Sequence, residues 1–341
     1  MRKIVVFSLL FTVFNVVDTM TLFAVGGYQR GGHSLPGMGA AIYRYDDTFM
    51  SYMRNTIERL SMGKVALTMV DSQNSQPVQN DQVDQFITRG MKVMAINTVD
   101  RTAAGTILGK AKAANVPVVF FNREPFPEDM RSWDKVYYVG AKAEESGTMQ
   151  GEIVADYWKA NPGADKNNDG VLQYIMLKGE PGHQDAELRT EYSIKAVRDA
   201  GIRVQLLAED TAMWQRPIAV EKMDAFWSRF GDQIEVIFCN NDDMALGVIE
   251  SLRKAGFFTG GRYLPVVGVD ATAPALQALA EGTLLGTVLN DAQNQGKATF
   301  DISYALATGA NPARAGWTIT DGKYIWVPYQ KVTRENYRNY Q

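Results

Sequence analysis

The sequence is poor in the residues that perform covalent chemistry. Its 341 residues include one cysteine, Cys239, and two histidines, His33 and His183. A single thiol can close no internal disulfide and cannot build a zinc site. Cys239 also lies in the apolar run Val236-Ile-Phe-Cys239, the pattern of a buried strand. No G-x-S-x-G elbow is present, so a Ser-His-Asp hydrolase is not indicated. Charge of one sign is lacking too: 35 basic against 38 acidic side chains leave a net −3, with no polycation for a nucleic-acid backbone. Phosphate-binding signatures are missing. No G-x-G-x-x-G follows a strand pattern, and Gly296-Lys297 is followed by Ala298 where a P-loop needs Ser or Thr. Paired carboxylates do occur, at Asp46-Asp47 and Asp242-Asp243. Counting therefore leaves a glycosidase open, although an Asp at a strand-to-helix junction is usually a helix cap.

Long apolar runs are equally scarce. The run over residues 4–17 follows Arg2 and Lys3, ends at Asp18 and is too short to span a bilayer comfortably. It reads as an export signal covering residues 1–26, with Ala24-Val25-Gly26 at the cleavage site and an uncleaved anchor as the alternative. No cysteine lies near that site for lipid attachment.

What the sequence has in abundance is alternation. From Gly37 onward short apolar runs alternate with amphipathic stretches, the signature of parallel α/β layers. Strands are expected over residues 39–43, 65–70, 93–97, 116–121 and 136–140, with helices starting near Asp47, Gln79 and Thr102. A second series begins at Leu172 and continues over 204–207, 234–239, 266–269 and 286–289, with helices near Asp185, Arg216, Asp243 and Pro274. Two successive sets of about five strands fit two α/β lobes better than one very wide sheet. A further helix over 293–306 and short pieces at 317–319 and 324–328 read as a return across both lobes. The polar tail from Gln330 receives no assignment.

Polar residues gather where the apolar runs end, beside aromatic rings. Tyr43, Asp46, Asp47 and Phe49 follow the first strand, and Asn122-Arg123 follow Val-Val-Phe-Phe121. Asn240-Asn241-Asp242 follow Cys239, Asp270 ends Val-Val-Gly-Val269, and Asn290 ends Thr-Val-Leu289; Trp214 lies in a loop. In Lys178-Gly-Glu-Pro-Gly-His183-Gln-Asp185-Ala-Glu-Leu-Arg189, the histidine sits at a turn and Asp185 and Arg189 share one helix face. Each of these alone is a cap, a turn or an i,i+4 ion pair. Together they form a ring of Asp, Asn, Arg and His at the carboxyl edges of both sheets, where open α/β sheets hold ligands. Such a ring suits a neutral polyhydroxylated molecule, whose hydroxyls both donate and accept and whose C–H faces pack on aromatic rings.

The loop Asp165-Lys-Asn167-Asn-Asp169-Gly-Val171-Leu-Gln173 matches the front half of an EF-hand: oxygen side chains at positions 1, 3 and 5, glycine at 6. Position 12 is Met176, so a Ca2+ site would need a carboxylate from elsewhere, and an Asx-rich turn is the alternative.

These segments together resemble the periplasmic galactose/glucose-binding proteins, the soluble receptors of sugar ABC importers. The resemblance runs from Gly39 to Pro328 through IYRYDDTFM, VPVVFFNREP, YYVGAKAEESG, LKGEPGHQDAE, DTAMW, NNDDMA, VVGVD and GTVLNDA. It implies two Rossmann-like lobes joined by three hinge strands and closing on one hexose. The first lobe would take residues 38–141 plus 290–326, the second 142–289 plus 327–341. Carried over, the sugar site falls on Asp47, Asn122, His183, Asp185, Arg189, Asn241, Asp270 and Asn290, stacking on Phe49 and Trp214, with Tyr43 in the cleft. Calcium ligands fall on Asp165, Asn167, Asp169, the Val171 carbonyl and Gln173, and Glu235 supplies the distant carboxylate. Arg123 departs from the family, which often has Lys there. The implied role is a non-catalytic, periplasmic D-glucose or D-galactose receptor, monomeric, with an ABC permease and a chemoreceptor as partners and no nucleic acid. A sugar-responsive transcriptional regulator uses the same fold, but residues 1–40 carry an apolar run and glycines instead of a helix-turn-helix.

Overall fold

The computed structural model describes residues 34–341; the expected export segment and His33 lie outside the described residues. The first series of elements is β1 (Gly37–Ile42), α1 (Thr48–Ser61), β2 (Ala66–Asp71), α2 (Gln76–Thr88), β3 (Val93–Ile96), α3 (Ala104–Ala113), β4 (Val118–Phe121), α4 (Pro127–Arg131) and β5 (Val136–Gly140). The second is α5 (Ala143–Ala160), β6 (Val171–Lys178), α6 (Gln184–Asp199), β7 (Arg203–Thr211), α7 (Arg216–Phe230), β8 (Val236–Cys239), α8 (Asp242–Lys254), β9 (Val266–Val267), α9 (Ala273–Glu281) and β10 (Gly286–Leu289). Three elements complete the chain: α10 (Ala292–Ala307), β11 (Tyr324–Trp326) and β12 (Gln330–Thr333).

The strands form two six-stranded sheets, ordered β11-β5-β4-β3-β1-β2 and β12-β10-β9-β8-β6-β7. Pairing is parallel except where β12 runs antiparallel to β10. Central strands such as Val-Met-Ala-Ile in β3, Val-Val-Phe-Phe in β4 and Val-Ile-Phe-Cys in β8 are buried at every residue. That is the reading of a parallel sheet covered on both faces. The edge strands β2 and β7 are more exposed and carry the polar residues.

Local chemistry fixes where the helices begin. Asp47 caps α1, its Oδ1 accepting the Met50 N–H at 2.8 Å. Phe49, Met50, Met53 and Ile57 then face the core, each burial contributing roughly 1.5–3 kcal/mol. Pro77, Pro217 and Pro274 occupy the first turns of α2, α7 and α9, where the missing N–H costs nothing.

The chain passes between the sheets three times, after β5, after β10 and after β11. The Val327 N–H donates to the Gly140 carbonyl at 2.8 Å, so the first and third passages run side by side. In each sheet the strand order reverses beside the first strand of its series, at β1 and at β6. The loops leaving the strands at these switch points hold most of the polar clusters described above.

Three features depart from the expectations. Helix α5 was not expected; its sequence carries Gly147 and Gly151, which weaken the helical pattern. A Cβ on Gly151 would lie 2.1 Å from the Ser193 carbonyl oxygen of α6, so the glycine permits close helix packing. The unassigned tail supplies β12, and residues 317–319 form no strand; Trp317 and Ile319 pack against the first lobe's core instead.

Candidate functional site

All eleven residues read as candidates for the cleft line one cavity between the two lobes, together with Met50 and Arg123. The space between them measures about 360 Å3 with the open solvent at its mouth included.

From the first lobe, Tyr43 follows β1 and its hydroxyl donates to Asp47 Oδ2 at 2.6 Å. Each Asp47 oxygen thus accepts one bond, from Met50 N–H or from Tyr43, and keeps a lone pair. Burial, then the Asp47 charge, raises the Tyr43 hydroxyl well above its ordinary range, so it stays a donor. Phe49, one residue into α1, is 8% exposed. Asn122 follows β4 with φ 62°, a left-handed conformation Asn tolerates. Its Oδ1 accepts from Asn97 Nδ2 at 3.1 Å. Asn97, fully buried at the end of β3, also accepts the Tyr43 N–H at 3.1 Å. The sequence reading placed Asn97 in a strand and missed this positioning role; a polar residue ending an apolar strand was the available signal.

From the second lobe, His183 caps α6, its Nδ1 accepting the Asp185 N–H at 3.1 Å. The partly buried ring sits edge-on to Trp214, centroids 5.0 Å apart. Desolvation, then the guanidiniums of Arg123, Arg189 and Arg101, hold its pKa well below 6.5. The imidazole is therefore neutral, and with Nδ1 accepting, Nε2–H is the free donor. Arg189 is bound on every side: Nε to Ser146 Oγ at 3.2 Å, Nη1 to the Asn240 carbonyl at 2.9 Å, and Nη2 to Asp185 Oδ2 at 3.0 Å and Tyr329 Oη at 3.1 Å. Sequence reasoning found the Asp185 pairing but not Ser146 or Tyr329, which arrive from α5 and the last passage between lobes. Asp185 and Asp270 are both raised by burial, with the Arg189 charge opposing. Asn241 caps α8 through Met244 N–H at 3.0 Å and donates to the Trp214 carbonyl at 3.3 Å. Asn290, on the second passage, donates to Asp270 Oδ1 at 3.3 Å.

Arg123 belongs to both lobes in effect. It stacks on the Tyr43 ring at 3.9 Å, donates to the Val99 carbonyl at 2.5 Å and pairs with Glu180 of the second lobe at 2.7 Å. A second polar bridge joins Gln184 to Glu124 at 2.7 Å. The cavity thus offers three carboxylates as acceptors, with Arg, Asn amide and imidazole N–H as donors, and has the Phe49 and Trp214 rings in its lining. It can grip hydroxyls individually.

A separate polar cluster lies at the start of β6. Asp165 accepts from the Asp169 and Gly170 N–H groups at 3.2 and 2.8 Å, and Asp169 accepts from the Val171 N–H at 2.7 Å. Glu235, buried, accepts from the N–H groups of Lys166 at 2.7 Å and Gln173 at 2.9 Å, which ties the distant carboxylate to this loop. Among the described residues no three acidic, histidine or cysteine side chains gather round one point, so a metal here would also need the amide and carbonyl oxygens. The donor set fits that requirement: every group is an oxygen ligand suited to a hard cation, and the buried Gln173 Oε1 has no hydrogen-bond partner.

Comparison with known proteins agrees with this architecture. The D-galactose/methyl-galactoside binding periplasmic protein MglB of Haemophilus influenzae is 46% identical over 303 residues, covering 88% of this chain and 90% of that protein. The xylitol-binding protein of Mycolicibacterium smegmatis is 28% identical, covering 80% of this chain and 70% of that one. Among solved structures, an ABC transporter solute binding protein from Bacillus halodurans with bound myo-inositol superposes with a TM-score of 0.76 at 28% identity, covering 91% of this chain and 99% of the other. The family model described as periplasmic binding protein domain matches residues 38–311, and the chain belongs to that family.

Proposed function

We propose that this chain is the exported sugar receptor of an ABC importer, taking D-galactose or D-glucose into the cleft between its lobes. The observation that carries the reading is convergence. Eleven residues that follow seven different strands, with complementary donor and acceptor roles, line one cavity. The identity to a relative named for D-galactose and methyl-galactoside supports the choice of sugar.

In this reading Asp47, Asp185 and Asp270 accept hydroxyl protons while Arg189, Asn122, Asn241, Asn290 and the Nε2–H of His183 donate. Phe49 and Trp214 cover the two C–H faces. Asp47, with a lone pair left on each oxygen, accepts an axial or an equatorial hydroxyl. The sugar contacts both lobes and so favours the closed arrangement, which is the form a permease would recognise. The role is binding rather than turnover, in the periplasm, as a monomer, with presentation to a chemoreceptor as a further use. The loop at β6 would hold Ca2+ through Asp165, Asn167, Asp169, the Val171 carbonyl, Gln173 and Glu235, clamping the lobe far from the sugar.

Titration calorimetry against D-galactose, D-glucose and a panel of pentoses and polyols tests the reading. Heat with one or both hexoses is expected, and Trp214→Ala should weaken binding by about 2–3 kcal/mol, roughly 30- to 150-fold. No heat with either hexose would overturn it.

A further inference from the structure

We infer that Asp242, which does not line the cavity, is a positioning residue that fixes the turn carrying Asp270 into it. The inference rests on the proposed sugar site. Asp242 opens α8 and is fully buried, yet it is not that helix's cap, because Asn241 already accepts the Met244 N–H. Its carboxylate is spent on the loop after β9. Oδ2 accepts the Thr272 N–H at 2.8 Å and the Thr272 hydroxyl at 3.3 Å. Oδ1 accepts the Thr287 hydroxyl at 2.7 Å, and that hydroxyl oxygen itself accepts the Ala271 N–H at 3.3 Å. The Asp242 N–H adds a bond to the Val269 carbonyl at 2.8 Å.

The segment so gripped needs gripping. Asp270 has φ 122° and Ala271 φ 53°, left-handed conformations that L-residues avoid and that persist only where surrounding structure imposes them. This double reversal brings the Asp270 carboxylate to the cavity wall. Glycine would adopt the same backbone without strain but could not supply a carboxylate. Space for the clamp comes from Gly268, where a Cβ would lie 2.3 Å from Asp242 Oδ1. Gly268, Asp242, Thr272 and Thr287 thus act as one device behind the cleft.

The test is a double-mutant cycle in D-galactose affinity, read beside melting temperature. Asp242→Asn puts an amide donor among donors, so its Kd should rise about tenfold or more. Because Asp242 acts through Asp270, adding Asp242→Asn to Asp270→Asn should change Kd less than about twofold, measured at millimolar sugar. A general loosening of the lobe would instead lower the melting temperature while multiplying Kd by the same factor in both backgrounds. That result, or an Asp242→Asn Kd within about twofold of wild type, overturns the inference. Should Asp242→Asn not fold, Thr287→Val removes one clamp bond, with a rise of about threefold and the same non-additivity expected; an unchanged Kd would then overturn it. Wild type that binds neither hexose overturns the proposed sugar site, and this inference with it. Wild type that binds beside an unaffected Asp242→Asn overturns this inference alone.

Discussion

The cleft and the loop at β6 are both clusters of carboxylates and amides; burial raises Asp185 and Asp270 in the first and Glu235 in the second, but exposed Asp169 in the loop moves the other way. In the cleft, burial raises Asp185 and Asp270 even with Arg189 against them. In the loop, desolvation is the largest single influence on exposed Asp169, but the hydrogen bonds from Val171 N–H, Asn167 and Gln173 together outweigh it, and its carboxyl lies below the usual range. Arg189 is the largest charge opposing both Asp185 and Asp270, whereas Asp165, Asp169 and Glu235 in the loop accept backbone N–H bonds. A ligand must therefore satisfy the first set with neutral hydrogen bonds, while a bare cation suits the second.

The comparison breaks most visibly at Arg189. Arg189→Met removes the largest charge opposing burial at Asp185 and Asp270, and the loss of hexose affinity should reach about 4 kcal/mol, roughly a thousandfold. Calorimetry reads it, and a loss under tenfold would show that the cation is not what the cleft depends on. The loop comes next. At a hundredfold excess over its Kd, Ca2+ should add about 2.7 kcal/mol, a rise in melting temperature of roughly 5 °C that Asp165→Ala abolishes. A melting temperature indifferent to chelator would count the loop as an Asx-rich turn and leave sugar binding untouched.

The smallest effect sharpens the cleft side through His183. In the unfolded chain this imidazole takes a proton near pH 6.5, while in the fold it stays neutral to well below that. The unfolded chain then holds the extra proton, so stability is full above pH 6.5 and falls as the pH drops below it. The slope from this one group is at most about 1.4 kcal/mol per pH unit. Asp185 and Asp270, raised in the fold, act in the opposite sense. The difference between wild type and His183→Gln across pH 4 to 8 isolates the histidine, and parallel curves would contradict its neutral assignment.

Much of this was legible in the sequence, for a physical reason. Strands of a doubly covered sheet must be apolar throughout, so runs such as Val-Val-Phe-Phe121 announce both the strand and the polar residue that ends it. That rule marks Asn122-Arg123, Asn240-Asn241-Asp242, Asp270 and Asn290-Asp291 as polar strand ends, and the family resemblance selects Asn122, Asn241 and Asn290 from among them. Helix α5 escaped because the first half of its buried face is small or polar, Ala143, Ser146, Gly147, Gln150 and Gly151, with the two glycines permitting close approach to α6. Strand β12 escaped because an antiparallel edge strand with two exposed residues carries little apolar signal. Asp242 stands out in the sequence only as half of a carboxylate pair and a strand-end residue; its bonds to Thr272 and Thr287 follow from the order of strands in the sheet.

The ion pair between Arg123 and Glu180 has a consequence for motion. At 2.7 Å it joins groups from different lobes, so no separation of the lobes can leave it intact. Opening exchanges a desolvated pair for two hydrated ions, a trade close to even in free energy. The pair therefore does little to hold the door shut. In a receptor that closes by hinge motion it would serve as a locating pin, letting the halves part at small cost and admitting one alignment when they meet again.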